Sequence, residues 1–347
     1  MGDILVSIVV ATYNRAEMLH RALQSLISQE TDGNFLYEIL VIDDASTDET
    51  SRVVKEVSAH FHTVIRYIRE QGKGYPDALN RGVKEATGKW IAFFDDDQLA
   101  ESDWLKNLLA IAIQMGADCV GGTIQLELLQ EGQMCLGSVC KGMLGEQIKN
   151  RKPKRCQGKH LPSGGNMLID RRVFEKIGSF DTALSDGGCD SDFIVRARNA
   201  NFSIWFAPDA IIHHIVPTYR LKPDYFRHVS ISWGSYFAQI ERKNFGFGKL
   251  LLFCIARIGQ AILVNMPCLL FSYLKCDKAK ILDRKCLLWR ALGYCRRCLF
   301  FISPKIFHQK RFFEGLGFRR RRQCFGIPSS PKDVSERDSR EYKRGVG

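Results

Sequence analysis

Short apolar runs alternate with amphipathic segments along the first third of the chain. The run Ile4–Ala11 is nearly continuous in apolar residues, which is typical of a strand covered on both faces. Similar runs predict strands over Glu38–Ile42, Thr63–Ile68 and Trp90–Phe94. Apolar residues recur at helical spacing after each of the four runs, as in Leu19–Ile27 after the first. Four alternations of this kind predict an α/β fold, a doubly wound and mostly parallel sheet with helices on both faces.

Polar residues follow three of these predicted strands. Thr12–Arg15 follows the first strand, Asp43–Asp48 the second and Asp95–Asp97 the fourth. In doubly wound sheets, ligands bind outside the carboxyl ends of the strands. We therefore expect these three segments to form one ligand site, which gathers carboxylates at one edge of the sheet.

The three consecutive aspartates Asp95–Asp97 would repel one another unless positive charge lies among them. Oxygen ligands of this kind suit Mg²⁺ or Mn²⁺, which could hold a diphosphate and stabilise its charge as it leaves. The alternative is a solvated helix N-terminus, where aspartates interact favourably with the helix dipole. We favour the metal. The chain has neither a G-x-x-x-x-G-K-[ST] loop nor a G-x-G-x-x-G after the first strand, which disfavours kinases, P-loop ATPases and nicotinamide enzymes.

Six short motifs, taken in order, resemble those of family 2 glycosyltransferases, whose fold is called GT-A. They lie at Val9–Arg15, Val41–Asp48, Phe93–Asp97, Gly164–Asn166, Gly178–Asp181 and Asp190–Asp192. The resemblance covers residues 4–235 and implies a Rossmann-like sheet. It also implies inverting transfer of a hexose from a nucleoside-diphosphate sugar, with uridine favoured and GDP or dTDP left open. The implied cofactor is Mn²⁺ or Mg²⁺, and the implied acceptor is a glycan or a lipid-linked glycan.

The same resemblance implies roles for individual residues. Asp190 matches the general base that takes the proton from the acceptor hydroxyl, which is a poor nucleophile without one. Tyr13 matches the aromatic residue that stacks on the base, and Asp44 matches the carboxylate that hydrogen-bonds it. The complete set of implied donor-binding residues is Thr12, Tyr13, Asn14, Lys73, Asp44, Asp96 and Asn166, and the implied metal ligands are Asp95, Asp97 and His214.

Several of these positions keep a plain structural alternative. Asp190 and Asp192 precede a predicted helix over Phe193–Ala200 and could serve as helix caps. His213 and His214 are adjacent, so only one can face the site, and Gly164–Asn166 could be a simple tight turn before a strand. Two departures from the family pattern also matter, because Cys189 replaces an acidic residue and Leu79 replaces an arginine.

The composition changes in the last third of the chain. From Ile215 to Gly347 there are 27 Lys and Arg against 9 Asp and Glu, and the apolar run 258–274 is interrupted by polar residues. This pattern favours amphipathic helices at an anionic membrane surface over a clean transmembrane span, while a helical cap packed on the domain is the alternative. The run Arg319–Arg322 has no accompanying nucleic-acid module, so we expect no nucleic-acid partner.

These observations predict three regions, a GT-A glycosyltransferase domain over 1–240, a basic, membrane-associated helical segment over 241–325 and a disordered tail over 326–347. The chain has 12 cysteines without a disulfide or zinc spacing, and Asp3 stands where a signal peptide would be apolar. We therefore expect a peripheral or monotopic protein at the cytoplasmic face of a membrane. Two other functions remain open, a metal-dependent nucleotidyl- or phosphotransferase and a non-catalytic protein that binds sugar nucleotides.

Overall fold

The computed structural model describes residues 4–60, 64–128, 135–148, 152–157, 162, 164–184, 187–304 and 307. These residues form two compact units, one from residues 4–127 and 147–215 and the other from residues 128–146 and 216–307. The first unit carries the sheet and the second is helical. A helix runs through residue 240, where the sequence predicted a domain boundary. The run Arg319–Arg322 and the tail 326–347 lie outside the described residues.

The strands of the chain follow the sequence prediction closely in its first part. They are β1 (Ile4–Thr12), β2 (Leu36–Asp43), β3 (Val64–Arg69), β4 (Trp90–Asp95), β5 (Gln98–Ala100), β6 (Cys119–Leu128), β7 (Lys154–Arg155), β8 (Met167–Asp170) and β9 (Ile204–Val216). The helices of the first unit are α1 (Ala16–Ile27), α2 (Thr50–His60), α3 (Tyr75–Glu85), α4 (Trp104–Gln114), α6 (Arg171–Ile177) and α7 (Cys189–Asn199).

The nine strands form one mixed sheet. Its order is β3-β2-β1-β4-β8-β6-β9-β5, with β7 paired to β9. The first four strands in this order are parallel, as the sequence predicts, whereas β8 runs antiparallel to both β4 and β6. The expectation of a mostly parallel sheet thus holds only for β3-β2-β1-β4, because the alternation on which it rests ends at β4.

The parallel half of the sheet is buried on both faces. Val6, Ile8 and Val10 enter one hydrophobic core, whereas Val9 and Ala11 enter the core on the opposite face. Successive residues of a strand point to opposite faces, so a strand with both faces covered must be apolar at nearly every position. The continuous apolar run of β1 is the sequence signature of this double burial.

One carboxylate is buried within this apolar sheet. Glu38 of β2 is 1% exposed, and its Oε1 accepts hydrogen bonds from Ser7 Oγ at 2.7 Å, Thr87 N at 2.8 Å and Thr87 Oγ1 at 2.7 Å. Arg66 of β3 lies 3.3 Å from the other oxygen. Burial would raise the pKa of Glu38, but these hydrogen bonds together lower it below its ordinary value. The network joins β1, β2, β3 and the turn that leads into β4.

One local prediction needs correction, and one strand contains a proline. Helix α7 begins at Cys189 rather than at Phe193, after Gly188 in the left-handed conformation, so Asp190 and Asp192 lie in its first turn. Pro208 lies within the long strand β9. Proline fixes φ near the value of extended chain, so a strand can continue through it where its missing N–H is not needed.

The second unit contains α5 (Ser138–Met143), α8 (Pro223–Gln260), a π-helical turn (Ala261–Asn265), α9 (Met266–Leu274) and α10 (Lys278–Ile302). Helix α8 is broken at Gly246, whose φ of 77° and ψ of 176° are not helical. Arg257 Nη2 lies 2.8 Å from Glu241 Oε1. In a straight helix these residues would be roughly 24 Å apart at 1.5 Å per residue. The chain therefore folds back on itself at Gly246.

Small residues bring α8 and α10 into close contact. A Cβ added at Gly234 would lie 2.0 Å from the carbonyl oxygen of Arg290, and one added at Gly293 would lie 2.1 Å from that of Ile231. Only glycine allows two helix backbones to approach this closely. Asp283 of α10 caps α5 by accepting hydrogen bonds from the backbone N–H groups of Val139 and Cys140. These contacts define the packing of the helical unit.

Candidate active site

Three strand ends meet at one edge of the sheet. The register pairs Thr12 of β1 with Asp43 of β2 and Ala11 with Asp95 of β4. The polar segments that follow these strands are therefore neighbours, although they are far apart in sequence. This edge carries Asp44, which is buried, and the Asp95–Asp97 triplet.

Arg15 supplies positive charge to the triplet. Its Nη1 lies 2.6 Å from Asp96 Oδ1 and 3.0 Å from Asp97 Oδ2, and Thr12 Oγ1 donates to Asp96 Oδ2 at 2.8 Å. Burial raises the pKa of Asp96, while the Arg15 charge opposes that rise. Repulsion among the aspartates is the sequence signal for such a cation, and we attributed the whole of that role to a metal. Arg15 is one of the site residues that sequence reasoning missed.

Asp95 has hydrogen-bond partners different from those of the other two aspartates of the triplet. Its carboxylate accepts a hydrogen bond from the Tyr75 hydroxyl at 2.8 Å and one from Gln98 Nε2 at 3.2 Å. Removal from water raises the pKa of Asp95 to about 6, and the charge of Asp97 adds to this rise. Asp95 thus differs from Asp97 in its partners, whereas the resemblance implies that both bind a metal. Neither Tyr75 nor Gln98 was given a role from the sequence.

His214 lies beside Asp97, and His213 lies on the other face of the strand. The antiparallel pairing of β5 with β9 sets Gln98 opposite His214, and His214 Nε2 is 3.5 Å from Asp97 Oδ1. His213 Nε2 instead lies 2.6 Å from Glu101 Oε1. The alternation of side chains along β9 thus decides which of the two adjacent histidines reaches the carboxylate edge.

The donor set at this edge suits a divalent ion only in part. Asp97 and His214 offer an oxygen and a nitrogen, but the described residues contain no group of three or more His, Cys, Asp and Glu side chains that could hold a metal. Mg²⁺ commonly takes one or two carboxylates and completes its shell with water and substrate phosphates. The residues present therefore fit an ion that arrives with a diphosphate rather than one held by the protein alone.

The loops after β1 and β2 hold each other in place. Asn14 has a φ of 50°, its N–H donates to Ser46 Oγ at 2.8 Å and its Oδ1 accepts from Thr47 N at 2.7 Å. Asp44 N donates to the Thr12 carbonyl, and Asp44 Oδ1 accepts from Gly74 N at 3.3 Å. The Asn14 side chain, which we expected to bind donor, thus shapes the loop pair. Tyr13 beside it is half-buried, and Lys73 is exposed in the loop before α3.

Asp190 is joined to the glycine pair that precedes β8. Its Oδ2 accepts a hydrogen bond from Gly164 N at 2.5 Å, and Gly164 has a φ of 80°. A Cβ on the adjacent Gly165 would lie 2.6 Å from Asp95 Cγ, so this position has no room for a side chain. Burial raises the pKa of Asp190 above its ordinary value, and the backbone N–H groups of Ser191 and Gly164 limit that rise.

Asp192, two residues later in the first turn of α7, makes no side-chain cap hydrogen bond among the described residues. Its Oδ2 lies 2.8 Å from Arg196 Nε, an i,i+4 pair on the helix surface. Cys189, which stands where the family has an acidic residue, is 1% exposed and packs in the core with Phe193. Burial raises the pKa of its thiol well above the ordinary value. The helix thus presents Asp190 as its one carboxylate at the glycine pair.

Asn166, for which the resemblance implies donor binding, lies in the interior of the first unit. It is 1% exposed, and its Oδ1 accepts a hydrogen bond from Trp104 Nε1 at 2.8 Å. Its Nδ2 donates to the backbone oxygens of Thr123 at 2.9 Å and Ala210 at 3.1 Å. The amide satisfies polar groups of three elements, which the sequence could not reveal because those elements come together only in the fold.

Comparison with known proteins identifies the family of this arrangement. Residues 7–178 match the family model described as Glycosyl transferase family 2. Glycosyltransferase AglE of Haloferax volcanii is 29% identical over 209 residues, which are 60% of this chain and 66% of that protein. Succinoglycan biosynthesis protein ExoO of Rhizobium meliloti is 35% identical over 112 residues, which are 32% of this chain and 31% of that protein. The chain thus spans less than two thirds of either relative.

A solved structure shares the fold. The crystal structure of GalNAc-T7 with UDP, GalNAc and Mn²⁺ aligns with a TM-score of 0.51 and 19% identity, over 65% of this chain and 47% of that chain. At this identity the likeness concerns the GT-A fold alone. It agrees with the mixed α/β sheet described above.

Proposed function

Because the chain belongs to glycosyl transferase family 2 and is a glycosyltransferase, we propose that it moves a hexose from a UDP-sugar to a glycan or lipid-linked acceptor with inversion. The observation that carries this proposal is the Gly164–Gly165 pair, which contacts Asp190 on one side and Asp95 on the other. Asp190, the proposed base, therefore lies next to the carboxylate edge of the sheet. The UDP named with GalNAc-T7 supports uridine as the nucleoside of the donor.

Asp190 is the proposed general base. A carboxylate is an efficient base when its pKa approaches the working pH, and burial moves the pKa of Asp190 in that direction. The Gly164 N–H fixes one carboxylate oxygen and so orients the carboxylate that would accept the proton of the acceptor hydroxyl. Activity should then fall as the pH decreases through a value above 3.8, the ordinary pKa of aspartic acid.

The donor is proposed to bind over the ends of β1, β2 and β4. Tyr13 would stack on the base and Asp44 would hydrogen-bond it, while Thr12, Asn14 and Lys73 flank the same loops. Asp96 keeps Arg15 at the edge, where the guanidinium can meet a phosphate oxygen. Asn166 contributes by holding β6, α4 and β9 together behind this surface.

Asp97 and His214 are the proposed residues for a divalent ion, Mn²⁺ or Mg²⁺, with Asp95 close by in sequence but bonded to Tyr75. Such an ion, when bound, would stabilise the negative charge that develops on the departing diphosphate. Arg15 holds the same carboxylates in the absence of substrate and adds its own charge to that stabilisation. The Mn²⁺ named with the GalNAc-T7 structure supports this choice of ion.

The helical unit is proposed to bind a membrane surface. Pro223–Leu274 is the one stretch of the described residues that is long and apolar enough to cross a membrane, with a mean hydropathy of 1.8 over 18 residues and 11% of that window buried. The chain reverses at Gly246, and we name the part of this stretch after the reversal the apolar arm (247–274). Leu263 is 76% exposed and Leu274 is 83% exposed. Such a surface suits the apolar side of a headgroup layer.

The charge of Arg257 within the apolar arm does not oppose this placement. Arg257 pairs with Glu241 at 2.8 Å and lies 4.3 Å from the centroid of the Tyr294 ring, whose hydroxyl also donates to Glu241. The guanidinium is thus compensated by groups of the helical unit itself. All eleven cysteines that lie in the described part of the chain are free thiols, which supports the cytoplasmic face.

The test of the catalytic proposal is release of free nucleoside diphosphate from UDP-, GDP- and dTDP-sugars, with Mn²⁺ and then with EDTA. We expect hydrolysis or transfer from one donor that EDTA abolishes. Asp190→Asn should bind this donor with unchanged affinity but lose turnover about 10³-fold. Asp192→Asn is the matched control on the same helix turn and should retain turnover. Equal losses in both variants, or transfer of a phosphoryl group instead of the sugar, would contradict the proposal.

A further inference from the structure

The helical unit contains a cavity whose lining residues all belong to that unit. Its volume is about 460 Å³, and its lining combines the basic side chains of Arg227, Lys278 and Lys285 with the apolar surfaces of Ile281 and Trp289. This volume falls within the range of small-molecule sites. The carbohydrate chemistry proposed above makes no use of this cavity.

The charge in this cavity is unbalanced. Asp224 is the one carboxylate in the lining, against three cations. Within the described part of the chain, Arg227, Lys278 and Lys285 form no ion pair with a carboxylate, whereas the neighbouring Lys280 lies 3.0 Å from Asp277. Three cations without carboxylate partners among the described residues raise the local concentration of anions at this cavity. The cavity therefore has the charge of an anion site.

Helix ends add to this positive character. Pro223 and Asp224 belong to the first turn of α8, and Lys278 and Ile281 belong to the first turns of α10. The partial positive charge of a helix N-terminus favours a phosphate or carboxylate placed against it. Asp277 already caps α10, whereas α8 has no side-chain cap among the described residues.

The cavity also borders the end of the apolar arm. Lys285 Nζ lies 5.5 Å from the centroid of the Tyr273 ring, and Leu270 and Leu274 next to that ring are 67% and 83% exposed. A cationic cavity that opens beside exposed apolar side chains matches a molecule with an anionic head and an apolar tail. A soluble anion would have no use for the apolar half of this surface.

From these observations we propose that this cavity is a lipid-phosphate site. The headgroup phosphate of an anionic lipid lies among Arg227, Lys278 and Lys285, and its chain lies along the exposed side chains of α9. The lipid source rests on the membrane attachment proposed above, but it does not depend on the transferase chemistry. Occupancy of the site would fix how deeply the apolar arm enters the bilayer.

The test uses the full-length protein and the fluorescence of Trp289, with Trp289→Phe to identify the signal. The probes are dihexanoyl phosphatidic acid below its micelle concentration and inorganic phosphate. We expect a saturable change with the lipid and a much weaker one with phosphate alone. The double variant Arg227→Gln/Lys285→Gln should bind the lipid at least about 10-fold more weakly, since each cation near a lipid phosphate contributes a factor of roughly 5.

The matched control is Lys249→Gln/Lys280→Gln. It also removes two positive charges, but from exposed positions of the helical unit that do not line the cavity. This variant should bind the lipid like the unmodified protein. Three results would overturn the proposal, namely no saturable change, equal losses in both double variants, or phosphate binding as tight as that of the lipid. Sugar transfer is not measured in this assay, so a failed lipid site and a failed transferase proposal give different results.

Discussion

The buried carboxylate of Glu38 allows a quantitative test of how the sheet is held together. Its Oε1 accepts three hydrogen bonds, from Ser7 and from both the N–H and the hydroxyl of Thr87, and Arg66 lies on its second oxygen. Glu38→Gln keeps the size of the side chain and the acceptor Oε1 but removes the charge. A hydrogen bond to a charged acceptor contributes about 1.5–3 kcal/mol against about 1 kcal/mol for a neutral one. The variant loses three such differences but no longer carries the cost of burying a charge. Together these effects predict that the free energy of unfolding falls by about 2 kcal/mol.

The pH dependence of this loss follows from the direction of the pKa shift. The pKa of Glu38 is lower in the folded protein than its ordinary value of 4.5. The folded protein therefore gains stability from the ionised form above pH 4.5 and loses it as the pH falls through the folded pKa. The difference between Glu38→Gln and the unmodified protein should accordingly be largest near neutral pH and shrink below that window.

The measurement is urea unfolding at neutral and acid pH, where a loss of this size lowers the midpoint by about 1 M. Glu85→Gln is the matched control, because Glu85 contacts the same Arg66 at 3.0 Å but its side chain is 25% exposed. A pair at the surface contributes at most about 1 kcal/mol. If the two variants lose equal stability, or if the Glu38 difference does not shrink in acid, the reasoning about the buried network is wrong.

Two further predictions concern packing. Gly234→Ala should destabilise the helical unit by about 2 kcal/mol or more, since the new Cβ would overlap the Arg290 carbonyl. Gly259→Ala, whose Cβ would have nothing within 4 Å, should instead stabilise α8 by about 0.5–1 kcal/mol. Thermal unfolding of both variants checks this, and an unchanged stability of Gly234→Ala would contradict it. Asn166→Leu should lower the free energy of unfolding by roughly 3 kcal/mol, because the indole N–H of Trp104 and two backbone oxygens lose their partner. A changed KM for the donor with unchanged urea unfolding would show that the residue binds the donor instead.

Local patterns predicted the parallel half of the sheet because there each element is encoded by its own residues. The runs that end in Thr12, Asp43 and Asp95 are apolar at nearly every position, and this follows directly from burial on both faces. The order in which β8, β6 and β9 join the sheet depends on pairings between distant segments. No periodicity in the sequence reports such pairings, so the mixed half of the sheet could not be predicted in this way.

At the site, the sequence indicated which segments meet but not how each side chain is used. The repulsion among Asp95, Asp96 and Asp97 correctly called for a cation, yet two of them are bridged by Arg15, and Asp95 turns to Tyr75. Asn166 is a polar residue of the kind that binds ligands, but its side chain hydrogen-bonds Trp104 in the interior. In each case the decisive partner lies on another element, so its identity depends on the tertiary fold.

The helical unit shows a different kind of limit. Hydropathy identifies the apolar residues on both sides of Gly246, but the sequence alone does not show that the chain reverses there. A glycine in a helical pattern is usually tolerated at a cost of about 1 kcal/mol, and only its positive φ makes it a turn. The pair formed by Glu241 and Arg257 became visible with that reversal.

The Gly164–Gly165 pair has a consequence for how such an enzyme can change over time. One residue of the pair donates its N–H to Asp190, and the other leaves space only for the carboxylate of Asp95. The positions of Asp190 and Asp95 therefore both depend on this single dipeptide. Any shift of that backbone moves both carboxylates together, so the proposed base and the carboxylate edge cannot be adjusted separately here. Variation in what the protein recognises must instead come from the loops that surround this fixed point.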